Sequence, residues 1–365
     1  MKSLFMIFLL VLVTVVSCTE LGNEPENYNT KKIGVYSIND VDGKGNFYVQ
    51  YADLDSLDKF RDIGFSFYSG FWLASPEQYL NPLYNVYVIA TLNKIYFFNT
   101  RSDKLIKQIN LPYISHGFED NFGVGLIKFL PYDNQRCILV RSYGVYMINL
   151  ENKEIESVIF EGRGNSNDII IHSLALTTDK RYLYLRTVTP TQLGAPQKLY
   201  KVDIILGTGK IIYQLSPNSL REDTTQSFTV GVSKDFVICT DGNNFFKFST
   251  ESNVLLDKRK LNLKGLFWFN PFGDANSLVC FSSDSAAFYI FNAETLSLTK
   301  YFEINSSKMR GNYQEFADGL YFLVPSNPQG KNFIVNLTTK EIKYSFNSPR
   351  ISSFIIKEVI DYTIN

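Results

Sequence analysis

One figure recurs along this chain: an aromatic-rich apolar run closing on Asn, Asp or Ser, a few polar residues, then a second run. It stands as Ile95-Tyr96-Phe97-Phe98-Asn99 before Leu105 to Ile109, and as Val145-Tyr146-Met147-Ile148-Asn149 before Ile155 to Phe160. Further copies close on Asp203, Ser249, Asn292 and Asn336, and a fainter one on Asp53. Neighbouring anchors are 43 to 54 residues apart. Asn and Asp suit such positions because they cap tight hairpins and tolerate left-handed backbone. Two more strand-like runs precede each anchor, such as Leu126 to Leu130 and Cys137 to Val140, so each unit supplies four strands.

A four-stranded unit of this period cannot cover its own apolar faces and must stack on its neighbours around an axis. The expectation is an all-β domain over residues 31–365, a seven-bladed β-propeller of four-stranded antiparallel blades. The first unit shows three strands, and Ser352 to Val359 offers a fourth, so the first blade is expected to be closed by the C-terminal strand, which removes an exposed edge. Because the first copy is faint, six or eight blades stay open.

The N-terminus follows a different pattern. Met1-Lys2 gives a positive start, Leu4 to Val16 is apolar apart from Thr14, and Ser17-Cys18 closes the run. A run this short falls below the ~20 residues of a membrane span and has the layout of an export signal. Val15-Val16-Ser17-Cys18 resembles a lipobox, with Val15 where leucine is usual. That resemblance implies a signal peptide over 1–17 and an acylated (palmitate-bearing) Cys18 as the first mature residue. Residues 18–30 are polar and acidic and read as a flexible tether. Acidic residues just after the cysteine resemble the surface-export signals of Bacteroidota lipoproteins. The expected location is the outer membrane, lipid-anchored, on its periplasmic or cell-surface face.

Composition agrees with strands: aromatic residues make up 15%, with Phe 30 and Tyr 23. Lys+Arg 36 balance Asp+Glu 36, so no basic field exists for nucleic acid, which is excluded as a partner. Cys137, Cys239 and Cys280 each sit in an apolar run and read as buried hydrophobes rather than disulfide partners. His116 and His172 are the only histidines, and no HxxxH or CxxC pair occurs, so no metal and no cofactor is expected. His172 reads as structural. Gly207-Thr208-Gly209-Lys210 belongs to a hairpin tip rather than a phosphate cradle.

The strand–Asn/Asp–strand hairpins make the chain similar to bacterial propellers of the YVTN, WD40-like and quinoprotein-like group, and to propeller lipoproteins of Bacteroidota. The group's activities are diverse, so the resemblance implies a fold and no activity. Propellers commonly bind ligands where the loops entering the innermost strands meet those joining the two middle strands. On this strand map those loops carry Trp72, Tyr113, His116, Arg163, Trp268, Arg310 and Tyr313, residue types that dominate interfaces, although the aromatics serve equally for packing between blades. No catalytic residue is assigned. The leading expectation is a membrane-anchored, non-catalytic binding or scaffolding module for an envelope protein or a glycan. The alternative is an exported propeller enzyme of polysaccharide lyase, hydrolase or lactonase type, for which acids such as Glu119/Asp120 and Glu222/Asp223 would have to converge.

Overall fold

The computed structural model describes residues 29–361 apart from 41–45, 54–56, 58, 69–75, 92, 112–126, 162–169, 189–196, 215–228, 241–243, 261–269, 283–284, 305–312, 317–319, 324–330 and 348–350. Every regular element among the described residues is a strand. β1 (Asn29–Asp40), β2 (Asn46–Asp53) and β3 (Arg61–Tyr68) open the first sheet. The second holds β4 (Glu77–Asn81), β5 (Val86–Ala90), β6 (Lys94–Asn99) and β7 (Lys104–Asn110). The third holds β8 (Ile127–Pro131), β9 (Arg136–Arg141), β10 (Gly144–Asn149) and β11 (Glu154–Glu161). The fourth holds β12 (Ile170–Leu176), β13 (Tyr182–Val188), β14 (Lys198–Asp203) and β15 (Thr208–Gln214). The fifth holds β16 (Val230–Val232), β17 (Phe236–Thr240), β18 (Asn244–Ser249) and β19 (Leu255–Lys260). The sixth holds β20 (Asn270–Pro271), β21 (Ser277–Ser282), β22 (Ala287–Asn292) and β23 (Ser297–Glu303). The seventh holds β24 (Tyr313–Phe316), β25 (Leu320–Leu323), β26 (Lys331–Asn336) and β27 (Glu341–Asn347). Finally β28 (Ile351–Asp361) pairs antiparallel with β1, placing Asp361 opposite Asn29 and Ile355 opposite Tyr36. The fold is therefore all-β and propeller-like, made of four-stranded antiparallel sheets whose strands follow chain order, except that β28 stands ahead of β1 in the first. The domain boundary expected at residue 31 falls inside β1, whose pairing begins at Asn29.

The anchors do the job their chemistry suggests. At the turn between the third and fourth strands, the anchor side chain accepts hydrogen bonds from amides two or three residues on. Asn99 Oδ1 takes Arg101 N (2.9 Å), Asn292 Oδ1 takes Thr295 N (2.9 Å), and Asn336 Oδ1 takes Thr339 N (3.0 Å). Asp203 Oδ1 takes both Ile205 N (3.0 Å) and Leu206 N (3.1 Å), and Ser249 does the same with Oγ on Ser252 N (3.1 Å). Four residues after six of the anchors the backbone turns left-handed, at Asp103 (φ 56), Lys153 (φ 56), Gly207 (φ 62), Asn253 (φ 59), Leu296 (φ 55) and Lys340 (φ 56). Only Gly207 adopts that backbone without steric cost.

Sheets stack face to face. In β5, Val86, Val88 and Ala90 pack with the third sheet, while Tyr87 and Ile89 pack with the first. In β9, Cys137 and Leu139 face back to the second sheet, and Ile138 and Val140 face forward to the fourth. The second strands of the second through sixth sheets are thus covered on both sides, which explains why they read as unbroken apolar runs rather than alternating ones. The same scheme continues from the fourth sheet through the seventh. The first strands of successive sheets also lie side by side: β28 beside β4, β4 beside β8, β16 beside β12 and β20, and β24 beside β28.

The two ends of the sheets differ. At one end the turns are short and regular, as at 82–85, 100–103, 132–135, 150–153 and 204–207. At the other end, the long-loop end, the fourth strand of one sheet ends and the first of the next begins, and most of the residues between them, such as 112–126, 162–169, 215–228 and 261–269, lie outside the described residues. Side chains from each sheet reach the short turn of the next. Lys201 Nζ donates to Thr250 O (2.9 Å), Lys247 Nζ to Glu294 O (2.6 Å), and Tyr301 Oη to Leu337 O (3.0 Å). Tyr36 on β1 donates to Asp103 Oδ1 as its counterpart Tyr184 on β13 reaches Asn253 Oδ1 (3.4 Å). With Lys107 Nζ donating to Asn152 O and Lys180 Nζ to Tyr132 O, the short turns of the second through seventh sheets share one end of the molecule.

Candidate functional site

Trp72, Tyr113, His116, Arg163, Trp268 and Arg310 all lie outside the described residues, as does Cys18. Tyr313 opens β24, opposite Leu323. The acids Glu119/Asp120 and Glu222/Asp223 also lie outside the described residues. His172, read as structural, sits at a bulge in β12, where the register with β13 shifts between Ile171 and Ser173.

The scaffold beneath those loops contains polar groups that sequence reading overlooked. Arg141 closes β9 and Arg186 lies near the end of β13, each only 1% exposed. Arg186 follows the parity of Tyr184 toward the fifth sheet, and its Nη1 donates to Thr240 O at 2.6 Å. Arg141 follows Leu139, on the face toward the second sheet. A cation in so dry a place is costly unless hydrogen-bonded, so each arginine is tied into the structure around it. The signal for both was present: an arginine terminating an apolar run, in Arg136-Cys137-Ile138-Leu139-Val140-Arg141 and in Tyr182-Leu183-Tyr184-Leu185-Arg186.

Around them, at the same end, Ser142 Oγ, Gln197 Oε1, Thr229 Oγ1 and Asn332 Nδ2 are buried and hold no hydrogen bond among the described residues. Gln78 accepts from Tyr87 Oη (2.5 Å) through Oε1, while its Nε2 is in the same position as those four atoms. The opposite end is satisfied within the scaffold. There Asn81 Nδ2 donates to Asn134 O (2.8 Å), and Ser233 Oγ donates to Phe236 O (3.2 Å). Buried polar groups carry the highest cost when unmade, so the long-loop end is where this fold concentrates unspent hydrogen-bonding capacity.

The short-turn end holds a cavity of about 650 Å³, lined by Leu83 and Tyr84 of the second sheet, Tyr132 to Gln135 of the third and Lys180 of the fourth. Its charges are already engaged. Lys180 Nζ donates to Tyr132 O (2.6 Å), and Asp133 pairs with Arg136 (2.6 Å). Burial works to raise the Asp133 carboxyl, but the Arg136 side chain and the amide of Gln135 outweigh it and hold the group below the usual carboxylate range. Asp133 is thus an anion at neutral pH and no proton donor.

Buried phenols and thiols are held in their neutral forms. Burial, and then the bond to Asp103, pushes the Tyr36 phenol far up, and burial does the same for Tyr87, so both stay neutral. Cys137, Cys239 and Cys280 are buried and form no disulfide among the described residues, as the sequence suggested, and burial raises the thiols of Cys137 and Cys280 well above their ordinary value. Among the described residues no cluster of three or more His, Cys, Asp or Glu side chains is placed to hold a metal ion.

No family model matches the chain, and no curated protein sequence matches it. Among solved structures it is similar to the dihydro-heme d1 dehydrogenase NirN in complex with DHE, with a TM-score of 0.49 and 8% identity over 89% of this chain and 75% of that one. It is also similar to apo AztD from Citrobacter koseri, with a TM-score of 0.43 and 10% identity over 88% of this chain and 89% of that one. Both are propeller-like proteins.

Proposed function

We propose that the chain is an exported, lipid-anchored binding module: a seven-bladed propeller, closed by its C-terminal strand, that recognises an envelope protein or a glycan through its long-loop end. One observation carries the reading, the difference between the two ends. A rigid frame with regular turns at one end gathers long connections and unspent buried polar groups at the other, which is how scaffolds present recognition loops. Aromatic and arginine side chains such as Tyr113, Trp268 and Arg310 supply the residue types that anchor interfaces. Closure is supported by the pairing of β28 with β1 and by β24 lying beside β28. The anchor rests on the lipobox-like Val15 to Cys18, and the outer membrane is its proposed location.

The test is capture from envelope extract by a chain starting at Asn29, beside a variant with Tyr113, Trp268 and Arg310 all replaced by alanine. A partner held by the first and lost by the second, with both chains equally folded, is the expected result. Equal retention by both would remove the long-loop end from the proposal. Native mass spectrometry of the same chain sorts the alternative, since a stoichiometric divalent metal would point to an enzyme. Closure is checked by a chain ending at Asn347, which lacks β28 and is expected to lose cooperative unfolding.

A further inference from the structure

We infer that the short-turn end is the membrane-facing end of the molecule, and that Ile205 and Leu206 at its rim rest on the lipid surface. The inference rests on the reading of Cys18 as the lipid anchor. β1 runs from Asn29 to Asp40 and continues into 41–45, a connection of the long-loop end, so Asn29 lies at the opposite, short-turn end. Asp361, its partner in β28, emerges beside it. Only residues 19–28 separate Cys18 from Asn29, a reach of at most about 40 Å even if fully extended. The body has a radius of gyration of about 20 Å for its length. A tether that short holds lipid beneath the end from which the chain emerges.

A second observation comes from the rim of that end. The two middle positions of the turn after each anchor are Arg101-Ser102, Glu151-Asn152, Glu251-Ser252, Glu294-Thr295 and Thr338-Thr339 in five sheets. In the fourth sheet alone the pair is Ile205-Leu206, exposed by 70% and 66%. Single exposed apolar residues need no explanation, but an adjacent pair at a turn tip, where five counterparts are polar, does. The fourth sheet is three sheets along from the first, which carries the tether, so the two contacts are separated across the end and together orient it. Acyl chains hold membranes more firmly when a second contact adds to them.

The test uses the full chain purified from membranes and reconstituted in phosphatidylethanolamine/phosphatidylglycerol vesicles containing doxyl-labelled phosphatidylcholine. A fluorophore is attached in turn to Leu206→Cys, Ser102→Cys and Lys260→Cys. The buried Cys137, Cys239 and Cys280 stay unlabelled, and the mass of the N-terminal peptide reports acylation of Cys18. The expected result is quenching several-fold stronger at positions 206 and 102 than at 260, where β19 ends at the long-loop end. Strong quenching at 102 with none at 206 would overturn the Ile205-Leu206 contact. Stronger quenching at 260 in acylated protein would overturn the orientation while leaving the anchor intact. A peptide without acyl chains would overturn the anchor reading and this inference with it.

Discussion

Asp203→Ala strips the fourth sheet's short turn of the oxygen that holds Ile205 N at 3.0 Å and Leu206 N at 3.1 Å. Both amides stand near solvent and water replaces part of what is lost, so the cost matches that of a helix N-cap, about 1 kcal/mol and at most ~2. The second carboxylate oxygen also meets Arg181 Nε at 3.3 Å. Half of the Arg181 side chain is exposed, so that pair contributes no more than about 0.5 kcal/mol. The alanine variant should therefore lose roughly 1.5–2.5 kcal/mol at neutral pH. Asp203→Asn keeps the capping oxygen, as Asn99, Asn292 and Asn336 do in their own turns, and should lose only about 0.5 kcal/mol. The pH dependence has a definite sign. Burial works to raise the Asp203 carboxyl, but the amides of Leu206 and Ile205 and the Arg181 side chain outweigh it, and the group is held below its ordinary value. Its ionic contribution is present above about pH 4 and is lost as pH falls through the lowered folded value. The gap between wild type and Asp203→Asn should thus close under acid conditions, while the alanine deficit persists. Urea unfolding of a chain starting at Asn29, at pH 7 and pH 3 with slopes compared, measures all three. Equal losses for the alanine and asparagine variants would refute the capping argument.

The left-handed residue four places after each anchor predicts two opposite effects. Gly207→Ala should cost about 1 kcal/mol through its backbone alone, since the nearest atom to an added Cβ is Ile159 O at an ordinary 3.6 Å. Lys153→Gly should gain about 0.5 kcal/mol by relieving φ 56, and thermal midpoints check both. Arg186→Ala removes the donor to Thr240 O inside the scaffold and should destabilise by about 2–3 kcal/mol in denaturant titration, with a smaller loss arguing that water replaces it. Ellman's reagent should find no reactive thiol in the folded chain starting at Asn29 and three once it is unfolded in denaturant, because Cys137, Cys239 and Cys280 have no exposed surface.

Much of the frame was legible because its rules are local. Asn99, Asn149, Asp203, Asn292 and Asn336 announce their turns by side-chain chemistry that works the same way in any surroundings, and even Ser249 performs it with a hydroxyl. The apolar second strands were legible as strands, but their two-sided burial was not, since it depends on the sheets that arrive on either face. The left-handed residues show the same limit. Leu296 and Lys340 sit where glycine or asparagine would be expected, and only the turn's closure on its anchor imposes that backbone on them. Arg141 and Arg186 look like strand-end surface charges until neighbouring sheets bury them. The loop residues Trp72, Tyr113, His116, Arg163, Trp268 and Arg310 were chosen by residue type and by position between strands, and neither property says which of them converge.

The pairing of Asn29 with Asp361 has a kinetic side. Most contacts in this fold are between strands adjacent in sequence and form as soon as a hairpin is complete. The β28–β1 ladder is different, because its two strands are the last and the first of the domain. Closing that contact costs roughly 3–4 kcal/mol more chain entropy than closing the β1–β2 hairpin. During synthesis, β1 must wait with one edge bare until β28 emerges. An open edge of this kind is a template for pairing with another chain. The first sheet is therefore the last to be completed, and the interval before completion is when the nascent chain is most exposed to misassembly and most dependent on holdases.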